Sequence, residues 1–388
     1  MKKLFILASG VLIFSSVLFA NSKIPKLEEQ VARNPNNAKA VFNLTKEYCR
    51  ADSVVKAVES FKRLAALDSN LASDVFVRAK VAIYLGLEPF FPQLITDSVC
   101  EAPRFSQDEK KILFQRNTGW DYNAGIMDAF SGKGFKMLTK SDSGCYGPCF
   151  AGSYDKMLYT RRADDQQGTT KLIYNDLTGG GEKVIFTNPG VMETIDWAGE
   201  GKPVLFSYYS IDTKTWEIGL YDAESGELKQ LTNNYYTDRY PRYSSDGKYI
   251  VYTDDRLIDF DIRIMDTKGK VVENLDIGPG RDVLPVFGDH DRKVAFCSDR
   301  NGGNQFDIFV YDRRTKDVIP VTYHQSHDLF PDFSNDGSWL IFTSNREQDE
   351  MVHPYFVSLN QPISVERLLE EINKEEPQDG GSNDNQSP

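Results

Sequence analysis

Three aspartates, Asp238, Asp282 and Asp328, each stand five residues ahead of an aromatic residue, Tyr243, Phe287 and Phe333. Carboxylates at the start of neighbouring strands can cap backbone N–H groups, or together line a site for a divalent cation or a basic partner segment. Arg256, Arg300 and Arg346 follow the same aromatics in step. Recurrence in register predicts a structural ion pair or backbone contact in each unit, whereas catalysis needs asymmetry. His324, His327 and His353 fall on connections expected on one face, where three imidazoles could hold a transition metal. His290 falls in a hairpin turn expected on the opposite face. Of five cysteines, Cys100 and Cys145 occupy the place of the aspartates in two earlier copies of the pattern. A Cys100–Cys145 disulfide would pin those copies together, with Cys145–Cys149 as the alternative. There is no G-x-S-x-G elbow, zinc-binding H-E-x-x-H helix or phosphate-cradling glycine loop, so the residues demand no catalytic activity.

The elements that must position these residues repeat. Aligned, the segments read "EAPRFSQDEKKILFQR", "YGPCFAGSYDKMLYTR", "ETIDWAGEGKPVLFSY", "RYPRYSSDGKYIVYTD", "VLPVFGDHDRKVAFCS" and "LFPDFSNDGSWLIFTS". An aromatic occupies one place in all six (Phe105, Phe150, Trp197, Tyr243, Phe287, Phe333), and a second follows nine residues on (Phe114, Tyr159, Phe206, Tyr252, Phe296, Phe342). Copies start 44 to 47 residues apart, the length of one four-stranded propeller blade. Each continues into a third strand ("WEIGLYD", "FDIRIMD", "FDIFVYD") and a fourth ("ELKQLTN", "DVIPVTY"). The sixth stops after its third strand, and "FFPQLITDS" ahead of the first reads as the missing fourth. The ring is expected to close through that N-terminal strand, leaving no open sheet edge.

The fold class is thus mainly β: a six-bladed propeller of four-stranded blades over 89–360, with a small α-helical segment over 23–88. Residues 1–22, basic at Lys2 and Lys3, then apolar, then small at Ala20 and Ser22, have the form of a cleaved secretory signal. Residues 361–388 read as a short helix followed by a disordered acidic tail. A net charge of −12 repels nucleic acid and anionic headgroups. The expectation is an exported protein of the periplasm or outer envelope, without a membrane span after cleavage and with no cofactor except a divalent cation at the aspartates.

Two resemblances add to this. The apolar spacing of Leu44, Tyr48, Ala57 and Phe61 resembles a tetratricopeptide repeat, with Val41, Thr45 and Ser69 departing from it. The repeated aromatic, the "S-x-D-G" turn and the "I-x-F-T-S-x-R" strand resemble the repeat of TolB-type six-bladed propellers over about residues 90–360. TolB proteins carry an α/β domain where this chain has helices, and contact the peptidoglycan-associated lipoprotein Pal in the periplasm. The resemblance therefore implies a non-enzymatic, protein-binding scaffold of the cell envelope rather than an orthologue. Its partner would be a peptidoglycan-associated or outer-membrane protein, bound at the propeller face or at the channel mouth near Asp238, Asp282 and Asp328. Some pectin-degrading lyases use His-lined metal sites on similar propellers, and that resemblance implies the alternative, a metal-dependent carbohydrate lyase or hydrolase using His324, His327 and His353.

Overall fold

The computed structural model describes residues 14–119, 121–140, 144–151, 153–163, 168–177, 181–188, 190–199, 201–257, 259–275, 277–302, 305–349 and 351–375. Residues 1–13 of the expected signal and 376–388 of the expected tail lie outside them. The chain forms two compact units, one from 1–89 with 362–388 and the other from 90–361.

The first unit is helical. After α1 (Phe14–Arg33), α2 (Ala38–Arg50) begins where the Asn37 side chain accepts the Ala40 N–H at 3.1 Å, satisfying one of the donors a helix start leaves over. Its buried Val41, Leu44 and Tyr48 share one face, as three- and four-residue spacing requires, and α3 (Val54–Leu67) presents Ala57, Phe61 and Leu64, each fully buried. Two short helices follow, α4 (Ser69–Ala72) and α5 (Val75–Tyr84), capped by Asp68 and Asp74 respectively. The C-terminal α6 (Val365–Glu375) joins this unit, with Leu368 buried and Ile363 donating its N–H to Pro89 O at 2.8 Å. Among the described residues no helix is long and apolar enough to cross a membrane.

The second unit is the ring. It opens with β1 (Gln93–Leu94). Blade one is β2 (Glu101–Phe105), β3 (Lys111–Asn117), β4 (Tyr122–Asp128) and β5 (Lys136–Met137). Blade two is β6 (Tyr146–Ala151), β7 (Ser153–Arg162), β8 (Thr170–Asp176) and β9 (Gly181–Asn188), and blade three is β10 (Met192–Trp197), β11 (Val204–Ser210), β12 (Thr215–Tyr221) and β13 (Leu228–Gln230). Blade four is β14 (Asp238–Tyr243), β15 (Tyr249–Leu257), β16 (Asp259–Asp266) and β17 (Val271–Asn274). Blade five is β18 (Asp282–Gly288), β19 (Lys293–Ser298), β20 (Asp307–Asp312) and β21 (Val318–Pro320). Blade six is β22 (Asp328–Phe333), β23 (Trp339–Ser344) and β24 (His353–Ser358), completed by β1, which pairs Gln93 with Phe356 and Leu94 with Tyr355. The expected N-terminal closure is therefore the observed one.

Local chemistry fixes the first hairpin where a serine and an aspartate stand two residues apart in its turn. In blade four the Ser244 hydroxyl donates to Asp246 Oδ1 at 2.8 Å and accepts the Tyr249 N–H at 2.9 Å, while Gly247 takes a φ of +67°. Ser334, Asp336 and Trp339 repeat this in blade six. The second aromatic of each repeat is the blade's core: Phe114, Tyr159, Phe206, Tyr252, Phe296 and Phe342 are all at most 1% exposed. The Phe114 ring packs against Gly125 of β4, where an added Cβ would fall 2.3 Å from its Cζ. Gly125→Ala is expected to destabilise the propeller by about 1–3 kcal/mol, the usual cost of overpacking; a chemical-denaturation midpoint equal to that of the parent would refute this contact.

Candidate functional site

All six inner strands carry the same irregularity. In each, pairing with the second strand breaks within the first few residues, and the residue at the break has positive φ: Ala102, Gly147, Thr194, Tyr240, Leu284 and Phe330, between +42° and +56°. Such a conformation costs a non-glycine residue about 1–3 kcal/mol and persists only where its surroundings impose it. A proline follows in five of the six copies (Pro103, Pro148, Pro241, Pro285, Pro331), which suits a bulge because proline has no N–H to give a ladder. At Gly147 the bulge N–H is satisfied by Gln115 Oε1 of the preceding blade at 3.1 Å.

The bulge sets what comes next. The residue just ahead of the first aromatic is Arg104, Cys149, Asp196, Arg242, Val286 or Asp332 in blades one to six. The four charged ones meet. Arg104 reaches Asp196 at 3.1 Å, Arg242 reaches Asp332 at 2.7 Å and Asp196 at 3.5 Å, and the small Cys149 and Val286 leave room for these spans. Asp332 also accepts the Phe105 N–H of blade one at 2.9 Å, and Asp196 accepts the Tyr243 N–H of blade four at 2.8 Å. Burial and repulsion from Arg242 hold Arg104 below the usual arginine range, whereas for Arg242 the two carboxylates outweigh burial and hold it above. Arg242 is thus the better compensated cation. The two arginines of this lattice line a cavity of about 310 Å³ ringed by the inner strands of all six blades, whose wall includes the bulge residues, Glu101, Tyr122, Tyr146 and the ion pair Glu193–Arg239.

From Arg239 an aromatic series runs outward. Its guanidinium lies 4.8 Å from the Tyr240 ring and 4.4 Å from that of Trp216, which meets Tyr209 edge-on at 6.0 Å. Tyr235 and Ile211, nearby in the chain, are 86% and 71% exposed.

Asp238, Asp282 and Asp328 do not line this cavity. All three are fully buried at strand starts. Asp282 binds Arg300 at 2.7 Å and Asp328 binds Arg346 at 2.9 Å, so the recurring arginines hold the recurring aspartates. Blade four departs from the pattern. Its second strand has Asp254 where the next two blades have Ser298 and Ser344, and Arg256 turns to Asp254 at 2.9 Å. Asp238 is left with the Asn234 amide at 2.7 Å, and its Oδ1 has no donor. Burial, then the charge of Asp254 opposite, push the Asp238 carboxyl well up, so that it holds its proton more tightly than an ordinary aspartate. Burial likewise raises Asp282 to about 6 and Asp307 to about 7.

The three histidines are not gathered. His353 is buried on β24 with Nε2 3.1 Å from the Asp349 carboxylate. His324 Nδ1 pairs with the Ser326 hydroxyl at 2.9 Å, and His327 packs by the Phe306 ring. Among the described residues no group of three or more His, Cys, Asp or Glu side chains could hold a metal ion. All five cysteines are free, buried thiols, in place of the expected Cys100–Cys145 bridge. The reason is position: Cys100 packs with Ile341 and Phe356 on the blade-six side of blade one, Cys145 with Met157 and Tyr159 on the blade-two side.

Sequence reasoning passed over the lattice and the bulges. The prolines two places ahead of the first aromatic were the available signal, since proline inside an inner strand demands an irregularity.

Comparison with known proteins agrees with this architecture. Residues 206–377 match the family model described as the TolB beta propeller domain. An uncharacterized protein of Agrobacterium fabrum is 26% identical over 208 residues, 52% of this chain and 67% of that protein. The Tol-Pal system protein TolB of Francisella tularensis is 26% identical over 187 residues, 44% of this chain and 40% of that protein. Among solved structures, TolB from Acinetobacter baumannii superposes with a TM-score of 0.51 at 20% identity, covering 67% of this chain and 63% of that one. The chain thus spans less than two thirds of either TolB protein.

Proposed function

We propose that this chain, which carries a TolB-type six-bladed propeller, is an exported, non-enzymatic scaffold of the bacterial cell envelope that binds a partner protein at its channel mouth. The observation that carries the reading is the cavity ringed by the six inner strands. Arg104 and Arg242, held by Asp196 and Asp332, line a cup whose wall differs from blade to blade, with Leu284, Phe330 and Tyr240 offered beside charged groups. A repeated backbone with unlike side chains suits recognition of an asymmetric surface. Among the described residues no serine, cysteine, lysine or histidine lines the cup. The helical unit, with its tetratricopeptide-like spacing, is a second candidate protein-binding element.

Capture from cell-envelope extract of the source organism tests this. The purified protein is expected to enrich one defined envelope protein, and the Leu284→Ala/Phe330→Ala variant to lose at least tenfold of that enrichment while keeping its thermal midpoint. Equal capture by the variant, or no defined partner, would overturn the proposal.

A further inference from the structure

Among the described residues, the charges in and around the cup are matched with one exception. Glu193 pairs with Arg239, Asp196 with Arg104 and Arg242, and Asp332 with Arg242. Glu101, on the blade-one wall, has no cation. Its partners are neutral: the Gln115 amide at 3.5 Å and the Tyr122 hydroxyl. It is half-buried, and burial raises its carboxyl above the ordinary range. A partly desolvated carboxylate without a counter-charge is costly to keep ionised, and a positive ligand group would relieve that cost.

The surroundings of Glu101 suit such a group. The Tyr122 and Tyr146 rings, also on the cavity wall, lie 5.7 Å apart between centroids and are inclined at 58°, forming two sides of a corner. Tyr146 is held in place by its hydroxyl donating to Asp121 at 3.0 Å, and Arg162 already lies 5.1 Å from its ring. This corner therefore tolerates a cation beside an aromatic face, which attracts positive charge through the ring quadrupole. The chain's net charge of −12 favours approach of cations over anions.

We propose that Glu101, Tyr122 and Tyr146 form a subsite of the cup that takes an organic cation, an ammonium or guanidinium group. The group comes either from a lysine or arginine side chain of a bound protein or from a free small amine. The inference rests on the reading of the mouth as the binding face and names the chemistry of what enters it.

The test is a calorimetric or NMR titration of the purified protein with three probes: cadaverine, the peptide acetyl-Gly-Lys-Gly-amide, and the same peptide with norleucine in place of lysine. Saturable binding at millimolar concentration is expected for the lysine peptide or cadaverine and not for the norleucine peptide. A stronger lysine peptide identifies a protein side chain as the source, a stronger cadaverine a small amine. Glu101→Gln, which keeps the size and hydrogen-bonding oxygen, should weaken binding at least tenfold, and Tyr146→Leu should weaken it several-fold with shifts confined to blades one and two. No saturable binding of either cation, equal binding of the norleucine peptide, or unchanged affinity in Glu101→Gln overturns the subsite. If the titrations fail while Leu284→Ala/Phe330→Ala still abolishes partner capture, the subsite falls and the scaffold reading stands.

Discussion

Truncating Asp332 to alanine is expected to cost the propeller about 3–5 kcal/mol, the penalty for leaving one member of a buried ion pair alone. Asp332 is 9% exposed in its side chain and Arg242 18%, so water replaces little of what is lost. The substitution strands the Arg242 guanidinium against Asp196 alone and removes the acceptor of the Phe105 N–H across the junction of blades six and one. Replacing both partners, as Arg242→Met/Asp332→Leu, should recover part of the loss, because two apolar side chains need no desolvated charge. Denaturant midpoints of the parent and both variants decide it. A loss below about 1 kcal/mol for Asp332→Ala would mean the lattice behaves as a surface network.

The second large effect is a fall in stability as pH rises. Asp238, Asp282 and Asp307 all have carboxyls raised by burial above the unfolded value, to about 6 for Asp282 and about 7 for Asp307. The folded state therefore binds protons that the unfolded state has released. Their contribution is fully present below the unfolded value of about 4 and is lost as pH climbs through the folded values. Between pH 5 and 8 the propeller should lose about 2–4 kcal/mol, seen as a lower melting midpoint at the alkaline end. Asp238→Asn should flatten the upper part of that curve and raise the midpoint at pH 8, since it keeps the oxygen that accepts from Asn234 and removes one of two opposed like charges. A midpoint that holds level or rises from pH 5 to 8, or an Asp238→Asn variant less stable than the parent at pH 8, would refute the raised Asp238 carboxyl.

These two sites differ in how far the sequence exposed them. The blade count, the Ser-x-Asp-Gly turns and the N-terminal closure were legible because each depends on spacing along the chain and on turn chemistry within a few residues. The pairing of Asp282 with Arg300 and of Asp328 with Arg346 was half legible, as two recurring sets whose contact the repeat suggested. The lattice was not. Its paired members come from different blades, up to 92 residues apart, and which face each occupies depends on a bulge that shifts register by one place. The metal reading of the histidines failed for a related reason: sharing a face of a ring does not bring side chains within reach of one ion. The Cys100–Cys145 pairing failed because equivalent positions in adjacent blades sit on opposite sides of one sheet.

The closing strand β1 is only two residues long, and a pair that short has little hold of its own. Yet the chain leaving β24 returns to the helical unit from which β1 sets out. There Ile363 donates to Pro89 O at 2.8 Å, and Arg78 Nη1 reaches Ile363 O at 3.0 Å. Residues just before the first strand and just after the last are thus tied together, within a few residues of the clasp on either side. The two ends of the ring behave as reactants held on a short tether, with β1 at a high effective concentration beside β24. Opening the ring at its seam therefore means parting two separate fastenings, one of strands and one of helices, and the second keeps the first within reach whenever it lets go.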